Sequence, residues 1–342
     1  MAPVFDLSPI WMAPMAGEAA SGALVAAASA GGGFGQLGAA YLAPARIAAV
    51  AADIRARTDR PFGINLFCPQ PWLRDDAALD AYLARLAAWH AELGLPAPTR
   101  PEHCEEDFEA QLDATVAARP AVISFAMGDP GVARVAALKA QGFLVVGTAT
   151  QVSEGRMLQA SGVDAVVAQG YEAGGHRGGF LGKPEGALIG TLALVPQLVD
   201  ALDIPVIAAG GIADARGVAA ARALGARAVA IGTAFLLVDE CPLSPAYRAA
   251  LLAAQDADST LTHAFSGRLA RGLANRVTRE LEGTPLPDFP QPNAASRPLR
   301  QAAAQAGRAD FISLWAGQAL PLNRRPGTAA ELVAALAKGW RA

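Results

Sequence analysis

The stretch Pro205-Val206-Ile207-Ala208-Ala209-Gly210-Gly211-Ile212 is followed, after a helix-like segment, by Ala228-Val229-Ala230-Ile231-Gly232-Thr233-Ala234. Each opens with a short run that is apolar on both faces, the pattern of a parallel strand covered on both sides. Each run ends in glycine. Asp214 then opens a segment with helical spacing, Ala215–Leu224. This strand–turn–helix unit recurs upstream. Strand candidates are Ile10–Pro14, Phe34–Leu37, Phe62–Phe67, Ala121–Phe125, Phe143–Gly147 and Asp164–Ala168, which with Pro205–Ala209 and Ala228–Ile231 make eight. Helical patterns lie between them at Pro44–Arg57, Gly131–Ala140, Ser153–Ala160 and Leu192–Ala201. Strands alternating with helices mean βαβ units and a parallel sheet. Eight units in about 240 residues predict an α/β fold of the (β/α)8, TIM-barrel type. A doubly wound open sheet fits less well, because no early GxGxxG opens a helix after the first strand.

By count the two opening stretches are barrel strands seven and eight. The loops after those strands bind phosphate in many barrels, through exposed backbone N–H groups and a helix N-terminus. Gly210, Gly211 and Gly232 let an anion reach the amides, and Thr233 adds a hydroxyl. A second glycine-rich segment follows the sixth strand: Gln169-Gly170-Tyr171-Glu172-Ala173-Gly174-Gly175-His176-Arg177-Gly178. Glycines at that density turn the chain sharply and admit close approach. A histidine in a loop at the C-terminal end of a strand sits where an α/β enzyme keeps its chemistry.

Composition narrows the class. Of 342 residues 53% are hydrophobic and only 17% charged, with net charge −3, so much of the chain is expected to be buried. That balance leaves no electrostatic footprint for nucleic acid. The uncharged run between Glu18 and Arg46 has a membrane helix's length, but Gly31-Gly32-Gly33 and Gln36 interrupt it. It reads as helix, turn and buried strand. Met1 to Asp6 lacks the basic region of a signal peptide. Cys68, Cys104 and Cys241 are widely spaced, with no disulfide framework and no metal-ligand pattern. A reducing cytoplasm fits.

Residues 1–239 are therefore read as the barrel, with 70–119 holding two helices. Residues 240–325 are strand-poor, with Val238–Leu252 and Asp258–Arg276 as helices or long loops and a proline-rich, irregular Thr284–Pro298. They are read as a smaller helical lobe over the barrel mouth. Residues 326–342 are expected to pack back on the barrel as a helix.

With these pieces in order, the chain resembles the nitronate monooxygenase family, FMN-containing barrels formerly called 2-nitropropane dioxygenases. The matching segments are Ala13-Pro14-Met15-Ala16-Gly17, Gly35-Gln36-Leu37-Gly38 with Tyr41, Pro61 to Phe67, Ser124-Phe125, Gln169 to Gly178, Ala209-Gly210-Gly211 and Gly232-Thr233. Further matches are Phe265-Ser266-Gly267-Arg268, Ala270-Arg271-Gly272 and Ser313 to Gln318. The order suggests the bacterial class I branch, which needs no nicotinamide cofactor. The resemblance implies that Asn65, Gln169, Gly170, Gly174, Gly175, Gly210, Gly211, Ile231, Gly232 and Thr233 bind FMN. It implies that Ala13, Pro14 and Met15 line the isoalloxazine and that His176 is catalytic. Where the family carries tyrosines and a lysine, this chain has Phe289, Asn293 and Arg297.

The implied reaction is oxidation of an alkyl nitronate, such as propionate 3-nitronate, by O2 to a carbonyl compound and nitrite. A protonated His176 would stabilise the nitronate anion; a neutral one would take a proton from a neutral nitroalkane. Arg268 and Arg271 either hold a substrate carboxylate or pair with acidic residues of the lobe. Arg177 is expected to be solvated. Small-molecule nitronate and O2 are the expected partners, without nucleic acid or membrane; a homo-oligomer is left open. The alternatives are an NAD(P)H-dependent quinone or enoyl-thioester reductase on the same fold, and a phosphate-binding isomerase or aldolase. The second would be favoured by a lysine at a strand end, and none of the eight has one.

Overall fold

A computed structural model describes residues 8–322 and 327–341. Eight parallel strands form one sheet: β1 (Ile10–Met12), β2 (Gly35–Gly38), β3 (Phe62–Phe67), β4 (Val122–Ala126), β5 (Leu144–Ala149), β6 (Ala165–Gln169), β8 (Val206–Ala209) and β9 (Ala228–Ile231). Each coincides with a predicted strand to within two residues at either end. β7 (Gly175–His176) lies outside this sheet, so barrel strands seven and eight are β8 and β9. Neighbours run in the order β1-β9-β8-β6-β5-β4-β3-β2. The two ends meet through the Trp11–Phe34 and Met15–Leu37 bridges, where Met12 N donates to Phe34 O at 2.9 Å and Phe34 N to Ile10 O at 2.9 Å. This is the expected α/β barrel.

Side chains alternate across each strand. Trp11, Phe34, Val122, Val146, Ala165, Ile207 and Ala228 point inward and pack together as the barrel's interior core. Their strand neighbours Ile10, Met12, Ile123, Val145, Val166, Val206 and Val229 point outward into a second, larger core beneath the helices. Trp11 and Phe34 nearly fill the interior, their ring centroids 4.6 Å apart. Val122, Val146 and Ile207 with alanines fill the rest.

The helices are α1 (Gly22–Ala30), α2 (Pro44–Arg57), α3 (Asp76–Glu92), α4 (Phe108–Ala117), α5 (Val132–Ala140), α6 (Val152–Ala160), α7 (Thr191–Ala201), α8 (Ala215–Ala223), α9 (Pro245–Ala253), α10 (Arg276–Glu280), α11 (Gln291–Ala295), α12 (Arg297–Gln305) and α13 (Ala329–Arg341). Helix α2 shows how they form. Proline starts it where no N–H partner is needed, and Ile47, Val50, Ala51 and Ile54 make one buried stripe. The run between Glu18 and Arg46 becomes α1, a turn and β2. Helix α13 packs on α8 and α1.

Two stretches differ from expectation. Residues 258–276, read as helices or long loops, contain β10 (Ser259–Thr262) and β11 (Ala270–Leu273), which with β7 form an antiparallel sheet in the order β10-β11-β7. The proline-rich stretch is partly helical, because Pro292 and Pro298 fall in the first turns of α11 and α12, where proline is tolerated. Among the described residues no helix is long and apolar enough to cross a membrane, and no cluster of three His, Cys, Asp or Glu could hold a metal ion.

Candidate active site

The inward register that builds the interior core also builds the site. Two residues further along each strand, the same parity gives Ala13 and Met15, Gln36, Asn65, Ser124, Thr148, Gln169, Ala209, and Ala230 with Gly232. All of these line one cavity of about 630 Å³ at the C-terminal ends of the strands. Polar side chains therefore appear only where the barrel opens. Asn65 Nδ2 donates to Ser124 Oγ at 3.0 Å, Ser124 to Gln36 Oε1 at 3.3 Å, and Gln36 Nε2 to Met12 O at 3.3 Å. This chain satisfies three buried polar residues and leaves Asn65 Oδ1 without a protein partner among the described residues.

The glycine turns line the same cavity. Gly210 has φ +106° and Gly211 φ +69°, where side chains are strained. A Cβ on Gly210 would also stand 3.0 Å from Thr191 Oγ1 and 3.1 Å from Ala173 N. Among the described residues, the N–H groups of Gly211, Gly232 and Thr233 find no acceptor. Thr233 Oγ1 accepts from Gly317 N at 2.9 Å, which leaves its own hydrogen to donate. The helix that follows Gly211 plays a smaller part than its position suggested. Asp214 caps α8 itself, accepting from Arg216 N at 2.9 Å and Gly217 N at 3.2 Å. The free donors are thus turn amides, a set that fits a terminal phosphate.

The loop between β6 and β7 is held tightly. Gly170 N donates to Ala209 O at 2.8 Å. Gln169 bridges the loop, with Nε2 donating to His176 O at 3.1 Å and Oε1 accepting from Gly178 N at 2.7 Å. Glu172 accepts from Thr191 N, 2.9 Å from Oε1, at the start of α7. A Cβ on Gly174 would lie 2.6 Å from Gly317 N, so the loop packs backbone to backbone on residues 316–317. Arg177, expected in solvent, is buried and donates to the carbonyls of Gln169, Ala187 and Thr150. Tight turns leave several carbonyls facing inward, and this guanidinium collects them.

His176 faces the cavity among Phe67, Phe289 and Trp315, with ring centroids at 6.3, 5.6 and 5.5 Å. Its Nε2 lies 2.8 Å from Ser266 Oγ. Burial among these rings, helped by the nearby charges of Arg268 and Arg300, pushes its pKa down to about 3. The free imidazole is therefore favoured in its neutral form.

Arg268 and Arg271 do not line the cavity. Arg268 donates to the Arg177 and Gly179 carbonyls, and Arg271 to Tyr171 O at 2.9 Å and Ser259 Oγ at 3.1 Å. Among the described residues neither forms an ion pair with an acidic residue. The cations that do line the cavity are Arg297 and Arg300 on α12, and among the described residues neither has a carboxylate within ion-pair distance. Arg300 donates to Asn293 O at 2.7 Å, to Asn293 Oδ1 at 3.1 Å and to Ser296 Oγ at 3.2 Å. Beside them Tyr41 presents a buried hydroxyl with no hydrogen-bond partner among the described residues. Its burial outweighs the nearby arginines and pushes its pKa up to about 12, so it stays a donor. Sequence reading missed Arg300, Tyr41 as a site residue, and Trp315. The i, i+3 spacing of Arg297 and Arg300 puts them on one helical face, a signal hidden while 284–298 was read as irregular.

A family model described as nitronate monooxygenase matches this chain over residues 1–339. A nitronate monooxygenase of Pseudomonas aeruginosa is 42% identical over 339 residues, covering 97% of this chain and 96% of that one. A crystal structure of a nitroalkane oxidase from Streptomyces ansochromogenes superposes with TM-score 0.93 at 39% identity, covering 99% of this chain and 97% of that one. FabK from Thermotoga maritima superposes with TM-score 0.73 at 28% identity, covering 98% and 93%.

Proposed function

The chain belongs to the nitronate monooxygenase family, and is thus an oxidoreductase of nitronates; from that premise we propose that it uses FMN and O2 to convert a carboxylate-bearing alkyl nitronate, such as propionate 3-nitronate, to a carbonyl compound and nitrite. One observation carries the reading. A single cavity joins the amides of Gly211, Gly232 and Thr233, which find no acceptor among the described residues, the guanidinium groups of Arg297 and Arg300, which find no carboxylate partner among them, and His176, whose burial disfavours charge.

Gly211, Gly232 and Thr233, with Gly210 and Ile231 shaping the turns, would hold the FMN phosphate. Ala13, Pro14 and Met15 would line the isoalloxazine, with Asn65 Oδ1 and Gln169 offering polar edges and Gly170, Gly174 and Gly175 backbone. Bound FMN would supply the redox chemistry, taking electrons from substrate and passing them to O2. The protein's own residues do the rest. Phe67, Phe289 and Trp315 exclude water around the reacting carbon, which strengthens every charge interaction there. Arg300 and Arg297 hold the substrate carboxylate, and Tyr41 donates a further hydrogen bond. A guanidinium held only by neutral acceptors gains most from an arriving carboxylate, because bidentate charge-assisted pairing replaces weaker contacts. His176 meets the reacting end.

The test is O2 consumption and nitrite release with propionate 3-nitronate against an uncharged alkyl nitronate. The carboxylated substrate should have a KM roughly tenfold or more lower, about 1.4 kcal/mol of binding. Arg300→Gln should erase that difference while leaving flavin content intact. Absence of nitronate turnover, with NADH oxidation in its place, would replace this reading by the reductase one.

A further inference from the structure

We propose that Ser266 is a positioning residue that keeps the His176 proton on Nε2, so that the imidazole meets the cavity with its Nδ1 lone pair and takes a proton from a neutral nitroalkane. This rests on the reading of the cavity as a nitronate site. Three short contacts meet at one hydroxyl. Ser266 Oγ lies 3.1 Å from Arg268 O, accepts from Arg268 N at 3.3 Å, and lies 2.8 Å from His176 Nε2. A serine hydroxyl has one hydrogen and two lone pairs. If the hydrogen goes to Arg268 O, both lone pairs are used as well, by Arg268 N–H and by Nε2–H. If it goes to Nε2, Arg268 O loses its only hydrogen-bond donor among the described residues, and one lone pair of Oγ stands idle. Ser266 is 1% exposed, so water does not fill the idle lone pair on its hydroxyl. Orphaned buried groups cost more than a hydrogen bond gains, and the first arrangement wins.

Backbone structure fixes the pair. His176 sits opposite Ala270 in the β7–β11 register, and Ser266 lies in the turn that leads into β11. Gly267 has φ +78°, and a Cβ there would lie 3.0 Å from Phe289 N, so only glycine makes this turn. Nδ1 has no partner among the described residues. The step balances simply. Nδ1 takes the proton from the carbon that bears the nitro group, and the C–H pair delocalises into that group to give the nitronate. The imidazolium keeps Nε2–H on Ser266. The new anion beside it offsets the burial and the arginine charges that hold the free imidazole neutral.

Nitrogen NMR of the flavin-loaded protein labelled at histidine, with His176 assigned by its loss in His176→Asn, reads the tautomer directly. Nε2–H is expected in the wild type and a shift toward Nδ1–H in Ser266→Ala. The ratio of kcat/KM for a neutral nitroalkane to that for its preformed nitronate should fall about 10-fold in Ser266→Ala, less than the roughly 10²–10⁴-fold of a positioned base because the imidazole remains. An Nδ1–H tautomer in the wild type overturns the proposal, as does an unchanged tautomer in Ser266→Ala. An equal loss on both substrates would make Ser266 structural and also overturn it. A wild type that turns over neither substrate would sink the nitronate reading, while the tautomer would still decide this one.

Discussion

His176 shows how one residue's surroundings choose between two chemistries that its type allows. An unperturbed histidine titrates near 6.5, so from sequence it could serve as cation or base. Burial among aromatic walls, with two arginines nearby, disfavours charge on the ring. The linkage has a definite sign. The unfolded chain protonates His176 at about 6.5, but the folded chain resists until about 3. Between those values the unfolded state binds more protons, so this residue's effect on stability grows less favourable as pH falls from 6.5 toward 3. We expect the His176 ring signals of the substrate-free, flavin-loaded protein to show no titration between pH 5 and 8. A midpoint near 6.5 would return the cationic role to the histidine and weaken the case for Arg297 and Arg300.

At the scale of elements, the barrel was legible because its signal is local and repeated. Eight apolar runs, each ending in a turn, need no tertiary information. The parity that places Asn65 and Gln169 in the cavity is present in the sequence too, and it would have added Gln36, Ser124 and Thr148. The elements within residues 240–325 were not legible, for equally physical reasons. Strand β11 reads Ala-Arg-Gly-Leu, without a β pattern, and it is a strand because β10 just upstream and β7 across a long stretch of chain pair with it. Prolines that looked like breakers begin α11 and α12, and so Arg300 went unnoticed. The turn at 210–211 carries its own prediction. A Cβ on Gly211 would meet only the Glu172 side chain, at 3.5 Å or more, so Gly211→Val has room. Its difficulty is φ +69°, which a β-branched residue occupies at a cost of about 1–3 kcal/mol. Relaxing that strain rotates the Gly211 N–H away from the cavity. FMN affinity should therefore fall at least tenfold, measured by fluorescence titration, with the far-UV spectrum unchanged. Wild-type affinity would move the phosphate site elsewhere.

The whole molecule is closed by its two ends meeting. Helix α13 lies against α8 and α1, far along the chain from both, and small residues set the approach. A Cβ on Gly31 would stand 2.6 Å from Ala330 Cα, and one on Gly339 would overlap the Ala215 carbonyl. Gly339→Val should lower Tm by several degrees, since overpacking costs about 1–3 kcal/mol, while the KM of refolded protein at 25 °C stays unchanged. A changed KM with unchanged Tm would show that α13 acts on the site instead of on the fold. The cavity ties the molecule together in a second way. Gly317 N reaches Thr233 Oγ1 at 2.9 Å and Gln318 N reaches Glu172 O at 3.0 Å, so the end of the 240–325 segment is fastened to the proposed phosphate turn at Thr233 and to the β6–β7 loop. A ligand that engages those turns is held by the barrel and braces the segment leaving the lobe. It binds the native state only, and at 100-fold over its Kd should stabilise by about 2.7 kcal/mol, or roughly 4–8 °C in Tm. Flavin-free protein should show that rise with FMN. FAD should give little or none, because the chain has no fingerprint for a dinucleotide's second phosphate. Acid denaturation should then release FMN whole into the supernatant. An equal rise with FAD, or flavin retained on the denatured chain, would overturn the assignment of one terminal phosphate to Gly211, Gly232 and Thr233.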